Sequence, residues 1–337
     1  MKCLCCGKEL KENSKPEEIS NQWHDSCIKK FFGTNRLPIV DVSNDALKNL
    51  ASQWIDKGYT IPGVQKKLSL HLSKEKGKSR LTLVDYPTGF IIKPQTENYP
   101  FLPESEYLAR SRARITGIKT VPFALLKEKG KEFIYITKRI DRIIDGNNIE
   151  QFAMEDFCQL DNRLTADKYK GSYERCAKVI MHYSDSNGLD LTELFLRLVF
   201  SFVIGNSDMH LKNFSLIETS PGSERYHLSE AYDLLPVNLI IPEDKEEFAL
   251  TINGKKQNIR KKDFLDFSER CGMNQKSAVK ILSEVVSRKE TYIRMCRDSY
   301  LPENMKLKMA DMICARIEIL SEQSHKGSQR LDVYRII

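Results

Sequence analysis

Gly205-Asn206-Ser207-Asp208-Met209-His210-Leu211-Lys212-Asn213, followed twenty residues later by Tyr232-Asp233, decides how this chain is read. An aspartate with an asparagine five residues on is the spacing of a phosphotransfer loop. The Asp accepts the proton of an acceptor hydroxyl, and the Asn oxygen holds a magnesium ion. Base and metal ligand must flank one transferring phosphoryl group, and a short loop leaving a packed helix fixes both with one backbone. Asp208, His210 and Lys212 are therefore the candidate catalytic residues, and Asn213 and Asp233 the candidate magnesium ligands.

The anchoring helix lies immediately upstream. Leu191, Leu194, Phe195, Leu198, Val199, Phe202 and Val203 recur at i, i+3, i+4 and i+7, which is helical spacing. Leu196, Phe200 and Ile204 fall off that stripe, so the helix is apolar nearly all round and buried. Gly205 ends it, and Phe214 to Ile217 resumes as a short buried strand.

Residues 58–138 read mainly as short strands. Leu68–Leu72 and Leu81–Val84 bracket a charged turn, Phe90–Lys93 is closed by Pro94, and Val121–Leu126 pairs with Phe133–Thr137. A helix opens at Pro103-Glu104 and ends at Gly117, with proline in its first turn and glycine past its end. Lys93 on a strand and Glu106 on the next helix have the placement of the ion pair that grips ATP phosphates in kinases. Gly58-Tyr-Thr-Ile-Pro-Gly63-Val-Gln65-Lys-Lys67 begins like a Walker A loop but has Val-Gln where Lys-Ser/Thr is required, which disfavours a P-loop NTPase. Gly63, Gln65 and Lys67 are the candidate phosphate-covering residues. Lys138 and Ile140, just after the last strand, are expected to meet adenine through their backbone.

Beyond residue 150 the pattern turns helical, over Met154–Leu160, Tyr173–Tyr183, Leu191–Ile204, Lys276–Lys289 and Met305–Leu320, with Ser186-Asn-Gly188 as a breaker. Glu155 and Asp156 read as helix-start acids that buttress the catalytic loop. The densest basic stretch, Lys255-Lys256 with Arg260-Lys261-Lys262, reads as a solvated face or loop in a chain of net charge +7. No aromatic residues interleave with it, which argues against a single-strand nucleic-acid groove.

The first thirty residues carry Cys3-x-x-Cys6 and His24-x-x-Cys27, seventeen residues apart. That is the two-knuckle spacing of a tetrahedral Cys3His zinc site, structural because four ligands leave no open position. Cys5 lies between the first two ligands and is the alternative to Cys3. So small an element has too little core to fold unaided, and metal would supply the missing stability. The nine cysteines are an odd number and fit reduced thiols better than a disulfide framework. Apolar runs are too short for a membrane span, and the N-terminus lacks signal-peptide features, so a cytoplasmic location is expected.

Seven stretches together resemble the HipA-type serine/threonine kinases, the toxins of bacterial toxin–antitoxin systems. They are Ile61–Lys67, Phe90–Pro94, Glu104–Tyr107, Thr137–Arg142, Met154–Gln159, Asp208–Asn213 and Tyr232-Asp233, in the family's order and spread over most of the chain. The resemblance implies an α+β, bilobal protein-kinase-like fold with a small β-rich N-lobe and a larger helical C-lobe, preceded here by the zinc-knuckle element. The expected division is 1–35 for that element, 36–138 for the N-lobe, 139–320 for the C-lobe and 321–337 for a loose tail. It further implies ATP and magnesium as cofactors, a protein substrate such as an aminoacyl-tRNA synthetase, and autophosphorylation at Thr60, where the family usually has serine. About fifty-seven residues precede Gly58, fewer than in full-length members. That matches shorter relatives whose missing subdomain is a separate small protein. The resemblance thus implies such a partner and a helix-turn-helix antitoxin through which DNA is met only indirectly. A small-molecule kinase and a kinase-like binding module without chemistry are the alternatives.

Overall fold

The computed structural model describes residues 1–40, 67–75, 78–82, 88–127, 132–145 and 148–321. Thr60, Gly63, Gln65 and the tail from residue 322 lie outside the described residues.

The cysteine-bearing segment contains helices α1 (Pro16–Asn21) and α2 (Asp25–Phe32) and leads into strand β1 (Ile39–Val40). Strands β2 (Leu68–Glu75), β3 (Lys78–Thr82) and β4 (Phe90–Lys93) precede the long helix α3 (Leu102–Thr116), and β5 (Phe123–Lys127) and β6 (Phe133–Lys138) follow it. These six strands form one sheet in the order β1-β3-β2-β4-β6-β5, antiparallel except for the β1–β3 pair. The register sets Lys93 opposite Tyr135 at the end of β4. Pro94 offers no N–H for a further rung, so the strand stops with the lysine at its mouth.

The second half is mostly helical. A hairpin of β7 (Arg142–Asp145) and β8 (Asn148–Gln151) is followed by β9 (Met154–Asp156), α4 (Phe157–Leu160) and α5 (Tyr173–Tyr183). Helix α6 (Asn187–Ile204) runs into the candidate catalytic loop, and β10 (Ser215–Glu218) and β11 (Tyr226–Leu228) come next. Helices α7 (Val237–Ile240), α8 (Lys261–Arg270), α9 (Gln275–Ser287), α10 (Lys289–Arg297) and α11 (Glu303–Ser321) complete the described chain. The architecture is the expected α+β arrangement of a β-rich lobe and a helical lobe.

Two local expectations need correction. Met154–Asp156 is a strand, not the start of a helix, because it pairs with β10 in a three-stranded sheet; only Phe157–Leu160 is helical. Ser186 is the residue before α6 and Gly188 lies inside its first turn, so the supposed breaker is a helix start. The basic stretch is the solvated loop that the sequence indicates: Lys255, Arg260 and Lys262 are exposed, Lys255 and Lys256 are paired to Asp263 and Glu246, and Arg260 leads into helix α8.

The division at residue 35 is not a boundary in packing. Leu4, Trp23, Ile28, Phe31 and Phe32 share one buried cluster with Leu70, Leu81, Phe90 and Phe123 of the sheet. Each large apolar side chain that is fully covered contributes roughly 1.5–3 kcal/mol, so the aromatic residues of the knuckle have reason to leave water for the sheet. A second, larger cluster forms around α6, where Leu198, Val199, Phe200, Phe202 and Val203 are fully buried. Helix α3 belongs to both: Tyr107 lies in the first cluster, and Leu108, Ala109 and Ala113 lie in the second.

Candidate active site

Three segments converge where the two clusters meet. The first is the mouth of β4 with α3 behind it. Lys93 Nζ lies 2.7 Å from each Glu106 carboxylate oxygen, and both side chains are buried. Glu106 is steadied in turn by Arg110 Nη2 at 3.5 Å.

The second is the loop after α6. Gly205 closes that helix with φ +76°, a left-handed conformation that glycine adopts without strain. The loop then folds on itself: the His210 N–H donates to the Asp208 carbonyl at 2.8 Å, and Asn213 Nδ2 donates to the same oxygen at 2.7 Å. The second bond fixes the amide so that Oδ1 is the Asn213 atom left to bind a cation. From outside the loop, the Tyr173 hydroxyl donates to the Met209 carbonyl at 3.0 Å, and the Tyr232 hydroxyl donates to the Lys212 carbonyl at 3.1 Å.

The third segment brings Asp233. Its approach is pinned by the Val121 N–H donating to the Ala231 carbonyl at 3.2 Å, the Ala231 N–H donating to the Lys119 carbonyl at 2.8 Å, and Arg110 Nη1 on the Ala231 carbonyl at 3.2 Å. Asp233 itself sits at φ +58°, the left-handed region. One of its carboxylate oxygens takes Lys93 and the other takes Lys67.

The charges follow from this geometry. Burial works against the Asp233 carboxylate, but the Lys67 and Lys93 ammonium groups outweigh it and hold its pKa well below the usual range. Asp208 is shifted the other way: burial raises its pKa, and the hydrogen bond from Tyr169 and the attraction of Lys168 only partly offset that. Two carboxylates of one site thus differ in basicity, the more basic one being the proposed proton acceptor. His210 is pushed down to about 3 by burial and by the charge of Lys168, so at neutral pH it is an uncharged imidazole. Its Nε2 stands 4.0 Å from Asp208.

The structure therefore brings together Lys67, Lys93, Glu106, Asp208, His210, Asn213 and Asp233. Lys212 is one exception: its ammonium is held 2.5 Å from Asp156, the N-cap of α4, which ties the loop to the neighbouring segment. At the hinge, Lys138 donates its N–H to the Pro122 carbonyl at 2.9 Å, leaving its carbonyl as the backbone group available to a nucleotide.

Two residues of this site escaped the sequence reading. The Tyr169 hydroxyl donates to Asp208 Oδ1 at 2.8 Å, and its ring meets His210 edge-on. Lys168 is buried beside it, with its Nζ 4.8 Å from the centre of the Tyr169 ring, and its charge acts on Asp208, Asp233 and Lys67. Neither stands in a motif. The 3-10 turn Thr165–Asp167 and the Leu211 N–H bond to the Lys168 carbonyl place them.

The cysteine segment forms a second cluster. Ligand atoms of Cys3, Cys6, His24 and Cys27 all lie within 4.8 Å of one another. Tetrahedral zinc with thiolate ligands has an edge of about 3.8 Å, so the four donors fit one ion after a modest contraction. His24 Nδ1 is 3.5 Å from Cys6 Sγ, and the His24 backbone N–H approaches Cys3 Sγ at 3.5 Å.

No helix among the described residues is long and apolar enough to cross a membrane. Comparison with known proteins places this geometry in a lineage. A Haemophilus influenzae protein named "Putative kinase" is 27% identical over 73% of this chain and 77% of its own length. A Sinorhizobium fredii protein named "Putative kinase Y4dM" is 30% identical over 68% of this chain and 58% of its own. In fold, the chain resembles the HipA of Shewanella oneidensis, solved with HipB and its operator DNA, at a TM-score of 0.66 and 17% identity, over 80% of this chain and 70% of that one. It also resembles the Helicobacter pylori proinflammatory kinase CtkA, at 0.50 and 17%, over 70% and 91%. Residues 59–293, more than two thirds of the chain, match the HipA-like C-terminal domain, and the chain belongs to that family.

Proposed function

We propose that this chain is an ATP- and magnesium-dependent serine/threonine protein kinase and the toxin of a toxin–antitoxin pair. The observation that carries the reading is the convergence of Lys93–Glu106, Asp208, Asn213 and Asp233 on one site. Lys93, held by Glu106, would grip the ATP phosphates. Asn213 Oδ1 and Asp233 would hold magnesium, which neutralises charge on the transferring phosphoryl group. An Asp233 oxygen must be released by a lysine for this, and the freed ammonium then turns to the phosphates. Asp208, its side chain 41% exposed, is open to an acceptor and basic enough to take the hydroxyl proton. The buried Lys168 cation stands where it can stabilise charge that develops during transfer.

The toxin role rests on family membership and on the HipB and operator DNA bound to the Shewanella protein. It carries with it a HipB-like antitoxin, a separate small subdomain protein and an aminoacyl-tRNA synthetase as the acceptor class. The cysteine cluster would bind one structural zinc ion.

Radiolabelled ATP with a cell lysate and, in parallel, a panel of small hydroxyl acceptors tests the activity. Label is expected on a protein serine or threonine, and Asp208→Asn and Asp233→Asn should each lose at least a thousandfold in rate while staying folded. Label appearing only on small acceptors would establish a small-molecule kinase instead. Near-normal turnover in either variant would overturn the assignment at that residue.

A further inference from the structure

We infer that zinc at Cys3, Cys6, His24 and Cys27 fixes the position of helix α3, so that metal occupancy governs the phosphate-gripping pair Lys93–Glu106. The inference rests on the zinc reading of the cysteine cluster and extends it from folding to control of the nucleotide site.

The knuckle finishes the sheet. Strand β5 is the sheet's edge, and both backbone groups of its central residue Leu125 are satisfied from the cysteine segment. The Leu125 N–H donates to the Leu4 carbonyl at 3.0 Å, and its carbonyl accepts the Trp23 indole N–H at 3.2 Å. Leu4 follows the ligand Cys3, and Trp23 precedes the ligand His24. The Leu4 N–H also donates to the Gln22 carbonyl at 2.8 Å. One ion that joins Cys3 and Cys6 to His24 and Cys27 therefore clamps together the two points that hold Leu125.

The same knuckle covers the first half of α3. Gly7 follows the ligand Cys6, and a Cβ placed on it would stand 3.5 Å from the Tyr107 hydroxyl. Tyr107 is buried, sits next to Glu106, and packs edge-on against Phe123 of β5. On its other side is Tyr300, whose hydroxyl donates to the Lys2 carbonyl at 3.3 Å. The residue after the phosphate-gripping glutamate is thus enclosed by the sheet, the connection between α10 and α11 and the metal knuckle.

The aromatic residues of the knuckle are held by the sheet, but the cysteine-bearing turns at Cys3–Cys6 and His24–Cys27 are joined to each other mainly through the four ligands. Without the ion, Leu4 and Trp23 lose their fixed separation, the edge of β5 opens, and Tyr107 loses its cover. Glu106 then keeps its Arg110 contact and the packing of the second half of α3 but loses the cover over the first half, and its 2.7 Å approach to Lys93 loosens. A lysine–carboxylate pair that grips phosphate depends on such second contacts for its geometry. The physical outcome is a kinase that zinc-withdrawing or thiol-modifying conditions switch off without touching any residue of its nucleotide site.

The test uses the full chain with magnesium in excess throughout. Zinc is withdrawn with a zinc-selective chelator and then restored, while three quantities are followed: zinc per chain, MgATP affinity, and hydrogen exchange of amides 102–116. We expect one zinc per chain as purified. Withdrawal should weaken MgATP at least tenfold and speed exchange across α3 at least tenfold, with both recovered when zinc returns. Zinc loss with unchanged affinity and unchanged exchange overturns the coupling while leaving the zinc site standing. A chain that neither carries nor takes up zinc overturns the reading beneath it. Should the zinc-free chain unfold, Tyr107→Ala decides: it keeps all four ligands, and it should retain one zinc yet lose MgATP affinity and α3 protection. Full affinity and protection in that variant overturns the inference.

Discussion

Asp208 and Asp233 stand in one site with opposite electrostatic environments, and this separates their substitutions in stability although both should abolish phosphotransfer. Burial raises the Asp208 pKa above the usual 3.8, so its contribution to stability falls as pH rises from that value to the raised one, and at neutral pH the charge is a net burden. Asp233 is held below its usual value by Lys67 and Lys93. Its contribution is therefore present above the unfolded-state pKa and lost as pH falls below it. At pH 7, Asp208→Asn should leave the unfolding free energy unchanged or slightly higher. Asp233→Asn leaves two ammonium groups with one carboxylate fewer and should cost about 2 kcal/mol, short of the ~3–5 kcal/mol of a fully enclosed pair because this side chain is partly exposed. Urea denaturation of both variants reads this, and equal destabilisation would contradict the charge assignment. The residues that carry this contrast were legible, because the spacing of Asp208 and Asn213, with Asp233 after them, matches a phosphotransfer motif. Tyr169 and Lys168 were not: nothing local marks a tyrosine thirty-nine positions before Asp208 as its hydrogen-bond donor.

The catalytic loop depends on how α6 ends. Gly205 sits at φ +76°, and a Cβ there would meet Met312 Sδ at 2.6 Å and Cε at 2.7 Å. Two costs follow for Gly205→Ala: about 1 kcal/mol for an L-residue in the left-handed region, and a further contact cost that Met312 can lessen by swinging its flexible end away. Gly205→Ala should lower stability by roughly 1–2 kcal/mol and slow phosphotransfer by displacing Asp208. Adding Met312→Ala should recover the contact share in rate and leave the backbone share of the stability loss in place. A double-mutant cycle measures this, and strict additivity would mean that the two residues do not meet. The end of α6 was readable because an all-round apolar helix running into glycine and polar residues has one interpretation. The beginning of β9 was not. Met154–Asp156 has helical spacing, yet its partner strand β10 lies sixty residues away, and pairing with it overrides the local pattern.

Helix α3 joins what the sequence presents as separate units. Its Tyr107 is buried with the sheet and the cysteine knuckle, and its Leu108, Ala109 and Ala113 are buried with α6. Its Arg112, fully buried, donates to the Tyr292 carbonyl at 3.1 Å in α10. That the chain turns mainly helical beyond residue 150 was legible from the change of period. That Trp23, Phe31 and Phe32 would be absorbed into the β-rich lobe was not, since an aromatic residue in a metal knuckle gives no sign of which surface it will cover. The shared helix has a consequence for unfolding. Neither apolar cluster can melt without exposing one face of α3, so the lobes should come apart in a single transition even though a bilobal chain of this size often unfolds in steps. Both tryptophans, Trp23 and Trp54, lie in the first 54 residues, whereas most of the helical signal comes from α5 to α11. In a Trp54→Phe chain, the fluorescence of Trp23, buried with the sheet, and far-ultraviolet circular dichroism therefore report different halves of the molecule. Their urea midpoints should coincide, and saturating MgATP, bound where the halves meet, should move both together, by about 2.7 kcal/mol at a hundred times its Kd. A fluorescence transition that precedes the helical one, or a nucleotide shift confined to one probe, would show that α3 does not couple the lobes.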